Sequence, residues 1–430
     1  MERILYLPTR YFPSISGAEF YLQRMAEILS LNYKIDIFTS NALDFNALRD
    51  PNGKLLDKSN KFFDKVNQLK INRFPIKYDI STEEKLNNLK KIKEFKLLNL
   101  SKECVNKFLE NGPYLIDLID FFFLNQEKLN YDFIHTTFFP YFNLIIGLIV
   151  GRLINKPTIC TPFFHFSNPR YIDITLIEVL KKFDLLIACT NIEKKKLVDN
   201  FGISEEKVEV IPMGVDYNIF EPKLIKKNTD FNFKEKFFMK GEKKYKMVLF
   251  CGYKNYEKGA ISILKSIPFI LKKYRKLYFI FIGPSTIAFN KELSKIQKIT
   301  NARIVNLTPA NLTGYFDKKK IAAFKQSDIY LMPSRSDAFG IAFLEAWASG
   351  IPVIGANIGA TPEVIRENVD GLLVEFDNSI DIANKVLKLL KNQKLRKNLG
   401  SAGQKKVSQN FTWEIVAEKT HNIYQSLKLK

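Results

Sequence analysis

Residues suited to metal ligation and redox chemistry are scarce in this chain: three histidines and four cysteines among 430 residues. Cys104, Cys160, Cys189 and Cys251 form no Cys-x-x-Cys pair, and three of them lie in apolar runs. They read as buried thiols of a reducing compartment, which argues against a disulfide framework or a zinc site. No Asp-x-Asp pair occurs, so a transferase that grips its donor through a metal-bound carboxylate pair is not expected. The P-loop, the G-x-G-x-x-G fingerprint and the G-x-S-x-G elbow are also missing. Long hydrophobic runs are missing too. The longest, YFNLIIGLIVGRLI (141–154), is broken by Asn143, two glycines and Arg152, and is too short to span a bilayer. The opening residues, MERILYLPTRYFPS, lack the basic start and apolar core of a signal peptide, so the expected location is the cytoplasm.

Acidic residues are outnumbered, 45 against 66 basic ones, which leaves a net charge of +21. Such an excess favours an anionic partner, a nucleotide or membrane surface, unless the lysines are merely solvated. No RNA-binding or helix-turn-helix signature accompanies the charge, so a nucleic-acid partner is not expected.

What is present is an α/β alternation. RILYLP, KIDIFTS, DFIHTT, PTICTPFFH, DLLIACT and VEVIPMG are short β-rich runs, with helix-period stretches such as AEFYLQRMAEILS between them. The pattern repeats in KMVLFCG, LYFIFIG, ARIVNL, DIYLMPS, IPVIGAN and GLLVEF. The change of unit falls in a Lys-rich, linker-like stretch near 217–245. Mostly parallel sheets in two α/β units are therefore expected: residues 1–220, then 221–410, with a final helix over 411–430. The Lys/Asn-rich region 52–110 reads as an insertion carrying amphipathic helices. Within it, 85–102 places Leu86, Leu89, Ile92, Phe95, Leu98 and Leu100 at near-helical spacing among six lysines. That pattern suits either an anionic membrane surface or a helix packed on its own domain.

One stretch carries chemistry. PSRSDAFGIAFLEAWASGIPVIG (333–355) sets Asp337 on a loop and Glu345 on the helix that follows, with Gly350 as the stop signal. Amides at the start of that helix, near Ala338, Phe339, Gly340 and Ile341, can bind an anion or an accepting oxygen. The two carboxylates can hold the hydroxyls of a nucleotide-sugar. Lys258-Gly259, opening the run AISILKSIPFILKKY, supplies a cation and a helix start where a departing diphosphate would gather charge.

These segments resemble the donor-binding signature of family 4 glycosyltransferases: an acidic residue, x, Phe, Gly, then Glu-Ala, small residues, Gly, x and Pro. Asp337 stands where that family usually has Glu. GYKNYEKG (252–259) is similar to the family's diphosphate-binding element, with Gly252, Lys258 and Gly259 in register, Tyr253 at the arginine position and Lys254 beside it. PSISGAEF resembles the first family loop, of whose two glycines Gly17 remains. VEVIPMGVD resembles the interdomain segment, with Met213 in place of Asn.

The resemblance implies the GT-B fold, two Rossmann-like domains facing across a cleft with the C-terminal helix crossing back to the first. It implies transfer of a hexose-type sugar, with retained configuration and without a metal or other cofactor, from a nucleotide-diphosphate-sugar donor to a hydroxyl acceptor. Lipid-linked acceptors are common among such enzymes, so the acceptor side leaves room for peripheral contact with the inner face of the membrane. By resemblance, Glu345 holds the ribose, Asp337 and the following amides hold the sugar, and Lys258 with Lys254 neutralises the diphosphate. His165 resembles the family histidine that faces the reaction centre. His135, at a strand end, reads equally as a residue lining the acceptor side or as a core histidine. Two other activities fit the same residues: a nucleotide-sugar epimerase and a non-catalytic nucleotide-sugar-binding homologue.

Overall fold

A computed structural model describes residues 1–14, 16–56, 65–221 and 231–428. It divides into two compact units. The first comprises Met1–Pro212 and Val416–Lys430, and the second Met213–Ile415. Residues 222–230 of the linker-like stretch read from the sequence lie outside the described residues.

The first unit holds an eight-stranded sheet ordered β3-β4-β2-β1-β5-β6-β7-β8. The strands are β1 (Arg3–Leu7), β2 (Lys34–Ser40), β3 (Lys65–Val66), β4 (Leu69–Phe74), β5 (Phe133–Thr136), β6 (Thr158–Cys160), β7 (Leu185–Ala188) and β8 (Val208–Val210). All pairings are parallel except β3 with β4. Strands covered on both faces need apolar side chains on both, so β1 and β7 are nearly continuous hydrophobic runs. The strand order reverses between β1 and β5, and such a switch point opens a crevice beyond the strand ends.

The region read as an insertion contributes β4 to this sheet, in register with β2 through Ile37↔Ile71. The segment 85–102 is not one amphipathic helix. It forms Thr82–Lys90, a turn, and the short helix Lys93–Lys96. Leu86, Leu89, Phe95 and Leu98 are buried, while Lys90, Lys91, Lys93 and Lys96 are exposed. The stripe therefore packs on its own unit, and the lysines are solvated. Among the described residues, no helix is long and apolar enough to cross a membrane.

The second unit is a six-stranded, wholly parallel sheet ordered β11-β10-β9-β12-β13-β14. Its strands are β9 (Lys246–Cys251), β10 (Leu277–Ile282), β11 (Arg303–Leu307), β12 (Ile329–Met332), β13 (Val353–Ala356) and β14 (Gly371–Val374). Every residue of β10, LYFIFI, is buried. Here the order reverses between β9 and β12, so the loops 252–259 and 333–340 flank the switch point.

The last helix, Trp413–Lys428, starts in the second unit and belongs to the first from Val416 onward. Its Tyr424 is fully buried and stacks on Phe133 of β5 at 5.1 Å between centroids.

Candidate functional site

In the second unit, β9 runs into the loop that carries Gly252, Tyr253, Lys254 and Lys258 and ends at Gly259, the N-cap of helix Ala260–Leu271. Gly259 has φ +72°, and a Cβ there would stand 2.2 Å from the Pro333 carbonyl oxygen. Only glycine lets the two switch-point loops approach this closely. On the facing loop, Asp337 precedes Gly340, which at φ +97° is the N-cap of helix Ile341–Ala348. Asp337 is thus three residues ahead of the cap rather than at it. Ala338 and Phe339 are buried; Gly340 and Ile341 are half-buried. Gly350 ends the helix at φ +73°, its N–H bonding the Trp347 carbonyl while that of Ile351 reaches Ala346.

The structure brings Lys258 and Asp337 together. The Lys258 ammonium donates to the Ser336 carbonyl at 2.8 Å and to Asp337 Oδ1. Asp337 Oδ2 is buried without a hydrogen-bond partner. A buried carboxylate oxygen with no donor carries a desolvation cost that a ligand hydroxyl would relieve. Tyr253 is 48% exposed at the rim of this loop.

Glu345 sits deeper, at 1% exposure. Its carboxylate accepts from the Lys320 ammonium at 2.7 Å, and Lys320 lies over the Tyr315 ring at 3.6 Å. Burial, then the adjacent Glu345 charge and hydrogen bond, push the Tyr315 phenol well above its ordinary range. Neither Lys320 nor Tyr315 was marked by the sequence reading. In a chain with this many lysines, nothing distinguishes Lys320 until the fold places it on a carboxylate.

Lys254 corrects an expectation. It is fully buried, and its ammonium bonds Asn306 Oδ1 and the Leu307 carbonyl at the end of β11. Burial lowers its pKa to about 8. It ties strand ends together and does not stand beside Tyr253 as a second diphosphate cation.

In the first unit, Gly17 is exposed at the start of helix Gly17–Leu29. The loop before it is held by a buried ion pair, Arg10 to Glu19 at 2.8–3.0 Å, with the Ser16 hydroxyl on the other Glu19 oxygen. His165, past β6, is half-buried between aromatic rings, 6.0 Å from Phe138 and 5.2 Å from Tyr171. His135 is a different case. It is 1% exposed, with Nδ1 2.6 Å from the Tyr424 hydroxyl and Nε2 2.8 Å from the Thr161 hydroxyl. Burial lowers its pKa to about 3, so it stays neutral. Nδ1 docks the terminal helix and Nε2 bonds Thr161 just past β6, which leaves neither for an acceptor. Among the described residues, no group of three or more His, Cys, Asp or Glu side chains could hold a metal ion.

Comparison with known proteins shows the family and the fold. Residues 232–406 match the family described as glycosyl transferases group 1, and residues 100–218 match glycosyltransferase family 4. The chain belongs to the family 4 glycosyltransferases, enzymes of a retaining family that use nucleotide-sugar donors. It is 23% identical over 445 residues to an uncharacterised glycosyltransferase of Methanocaldococcus jannaschii, covering 99% of this chain and 98% of that one. It is 30% identical over 313 residues to a 41.2 kDa protein of the Klebsiella pneumoniae cps region, covering 67% and 79%. In fold it matches Anabaena HepE, solved with UDP-glucose, at a TM-score of 0.71 and 15% identity over 99% and 100% of the two chains. The two sheets and the returning helix are those of the GT-B fold.

Proposed function

We propose that this enzyme transfers a hexose-type sugar from a nucleotide-diphosphate-sugar to a hydroxyl group, with retention, using Lys258 as the cation at the diphosphate. The observation that carries the reading is the meeting of Lys258 and Asp337 at the switch point, ahead of the helix that begins at Ile341. Lys258 then stabilises the negative charge that develops on the leaving diphosphate. The unpartnered Asp337 Oδ2 accepts a sugar hydroxyl. Glu345 serves the ribose, with Lys320 holding its carboxylate in place. Each of these carboxylates is assigned a binding role and none that of a covalent nucleophile, so attack from the side of the leaving phosphate is the mechanism proposed. A uridine-linked hexose is the first donor to try, because HepE was solved with one. The acceptor is assigned to the loops after β1, β5 and β6 of the first unit, around His165. With most of the apolar stripe of 85–102 turned inward, that segment presents chiefly exposed lysines to a membrane-borne acceptor.

The test is donor consumption. UDP-glucose, UDP-N-acetylglucosamine, ADP-glucose and GDP-mannose are incubated with the protein, with and without hydroxyl acceptors, and release of the nucleoside diphosphate is followed. At least one donor should be turned over by the wild type and spared by Lys258→Ala. If none is bound or consumed, the reading fails. If Lys258→Ala matches the wild type, Lys258 leaves the mechanism.

A further inference from the structure

The loop that carries Lys258 and the loop that carries Asp337 are joined by a second, larger contact that the donor-binding residues do not explain. Arg335 grips Glu257 with two parallel bonds, Nε to Oε2 at 3.0 Å and Nη2 to Oε1 at 2.5 Å. The Arg335 amide donates to the Glu257 carbonyl at 2.8 Å, and the Ser334 hydroxyl donates to the same carbonyl at 3.1 Å. The guanidinium lies 5.6 Å from the Tyr256 ring centre and 5.3 Å from that of Phe376. The Tyr256 hydroxyl in turn donates to Asp377 at 3.2 Å. Glu257 and Arg335 thus bracket the place where Lys258 meets Ser336 and Asp337, one residue away on each chain segment.

We propose that Arg335 is a positioning residue that, through Glu257, fixes Lys258 at the donor diphosphate; this rests on the donor-site reading above. Arginine suits the task because its planar fork matches a carboxylate in one orientation, whereas lysine is a point charge on a flexible stem. The ring contacts hold the guanidinium plane. With the clamp closed, Lys258 has little freedom to leave the switch point. With it open, the ammonium samples solvent, and its charge is no longer held where the diphosphate would be.

UDP binding to the full chain, measured by calorimetry, tests this. Arg335→Lys and Glu257→Gln should each weaken UDP about tenfold or more at an unchanged thermal midpoint. The exchanged pair, Glu257→Arg with Arg335→Glu, should recover most of the loss. Because Arg335 acts through Lys258, adding Arg335→Lys to Lys258→Ala should cost no further affinity. Additive losses would make Arg335 a direct ligand contact and overturn the proposal, as would wild-type affinity in the single variants. Should the wild type bind none of UDP, GDP and ADP, the donor reading fails separately. Amide exchange then decides the clamp: faster exchange over 333–340 in Glu257→Gln upholds it, and unchanged exchange sinks it.

Discussion

Lys254 and Lys258 share one loop and end in opposite settings, one buried under strand ends and the other on Asp337 at the switch point. Spacing along the chain marks both equally, and only the three-dimensional path of the loop separates them. Lys258→Ala should lower donor turnover by about 2–4 kcal/mol of transition-state stabilisation, a range seen when one preorganised donor is removed. The measurement is kcat/KM for the donor that the wild type consumes. Glu345 needs a different design, because Lys320 shares its burial. Removing one partner of a buried pair costs about 3–5 kcal/mol. Lys320→Met should therefore lower stability by that order in urea titration, and adding Glu345→Gln should return part of it. A double variant no more stable than Lys320→Met would mean that the pair contributes packing alone. The motif was legible as a pattern of residue types. The partners of Glu345 were not, because ion pairs between distant segments leave no local signal.

At the scale of elements, the parallel strands announced themselves through β-rich runs between helix-period stretches, and KMVLFCG and LYFIFIG became β9 and β10. β4 went unread although Leu69, Lys70, Ile71 and Asn72 alternate, because it lies in a Lys/Asn-rich setting that masks a two-residue period only six residues long. The amphipathic stretch near 85–102 shows the opposite failure: a stripe and lysines are present in sequence whether the stripe faces lipid or protein. With Leu86, Leu89, Phe95 and Leu98 buried, most of that stripe is committed to the protein interior. Liposome co-sedimentation at about 0.5 M salt, where exposed charges are screened, should leave the protein in the supernatant. Retention on vesicles at that salt would require an apolar anchor elsewhere. Gly259 is an element-scale test of the loop junction. Gly259→Ala places a Cβ against the Pro333 carbonyl at a positive φ, so it should destabilise by more than about 1 kcal/mol and weaken donor binding together. A variant with wild-type melting would show that the two loops can part without cost.

For the whole molecule, two α/β units and a returning helix were legible from the repeated alternation and the family motifs. The polar anchorage of that helix was not. His135, Tyr424, Tyr6 and Thr161 form one buried set, with Tyr424 to Tyr6 at 3.1 Å between hydroxyls. A histidine held neutral, with a pKa of about 3 against an ordinary 6.5, binds fewer protons folded than unfolded. Its contribution is complete above pH 6.5 and is lost as pH falls toward 3, by up to about 1.4 kcal/mol for each pH unit. Thermal melts from pH 7 to pH 4 should fall less steeply in His135→Gln than in the wild type; parallel curves would mean that His135 gains a proton without strain.

The same docking has a consequence in time. A ribosome delivers Tyr6 and His135 early, and Tyr424 only after the second unit, Met213–Ile415, has been made. At about 5–20 residues per second, that interval is roughly 10–40 s. Throughout it, the nascent first unit has buried polar groups without their partner and an open place beside Phe133. Its last folding step therefore awaits synthesis of the helix that carries Tyr424, and the second unit can be finished before the first.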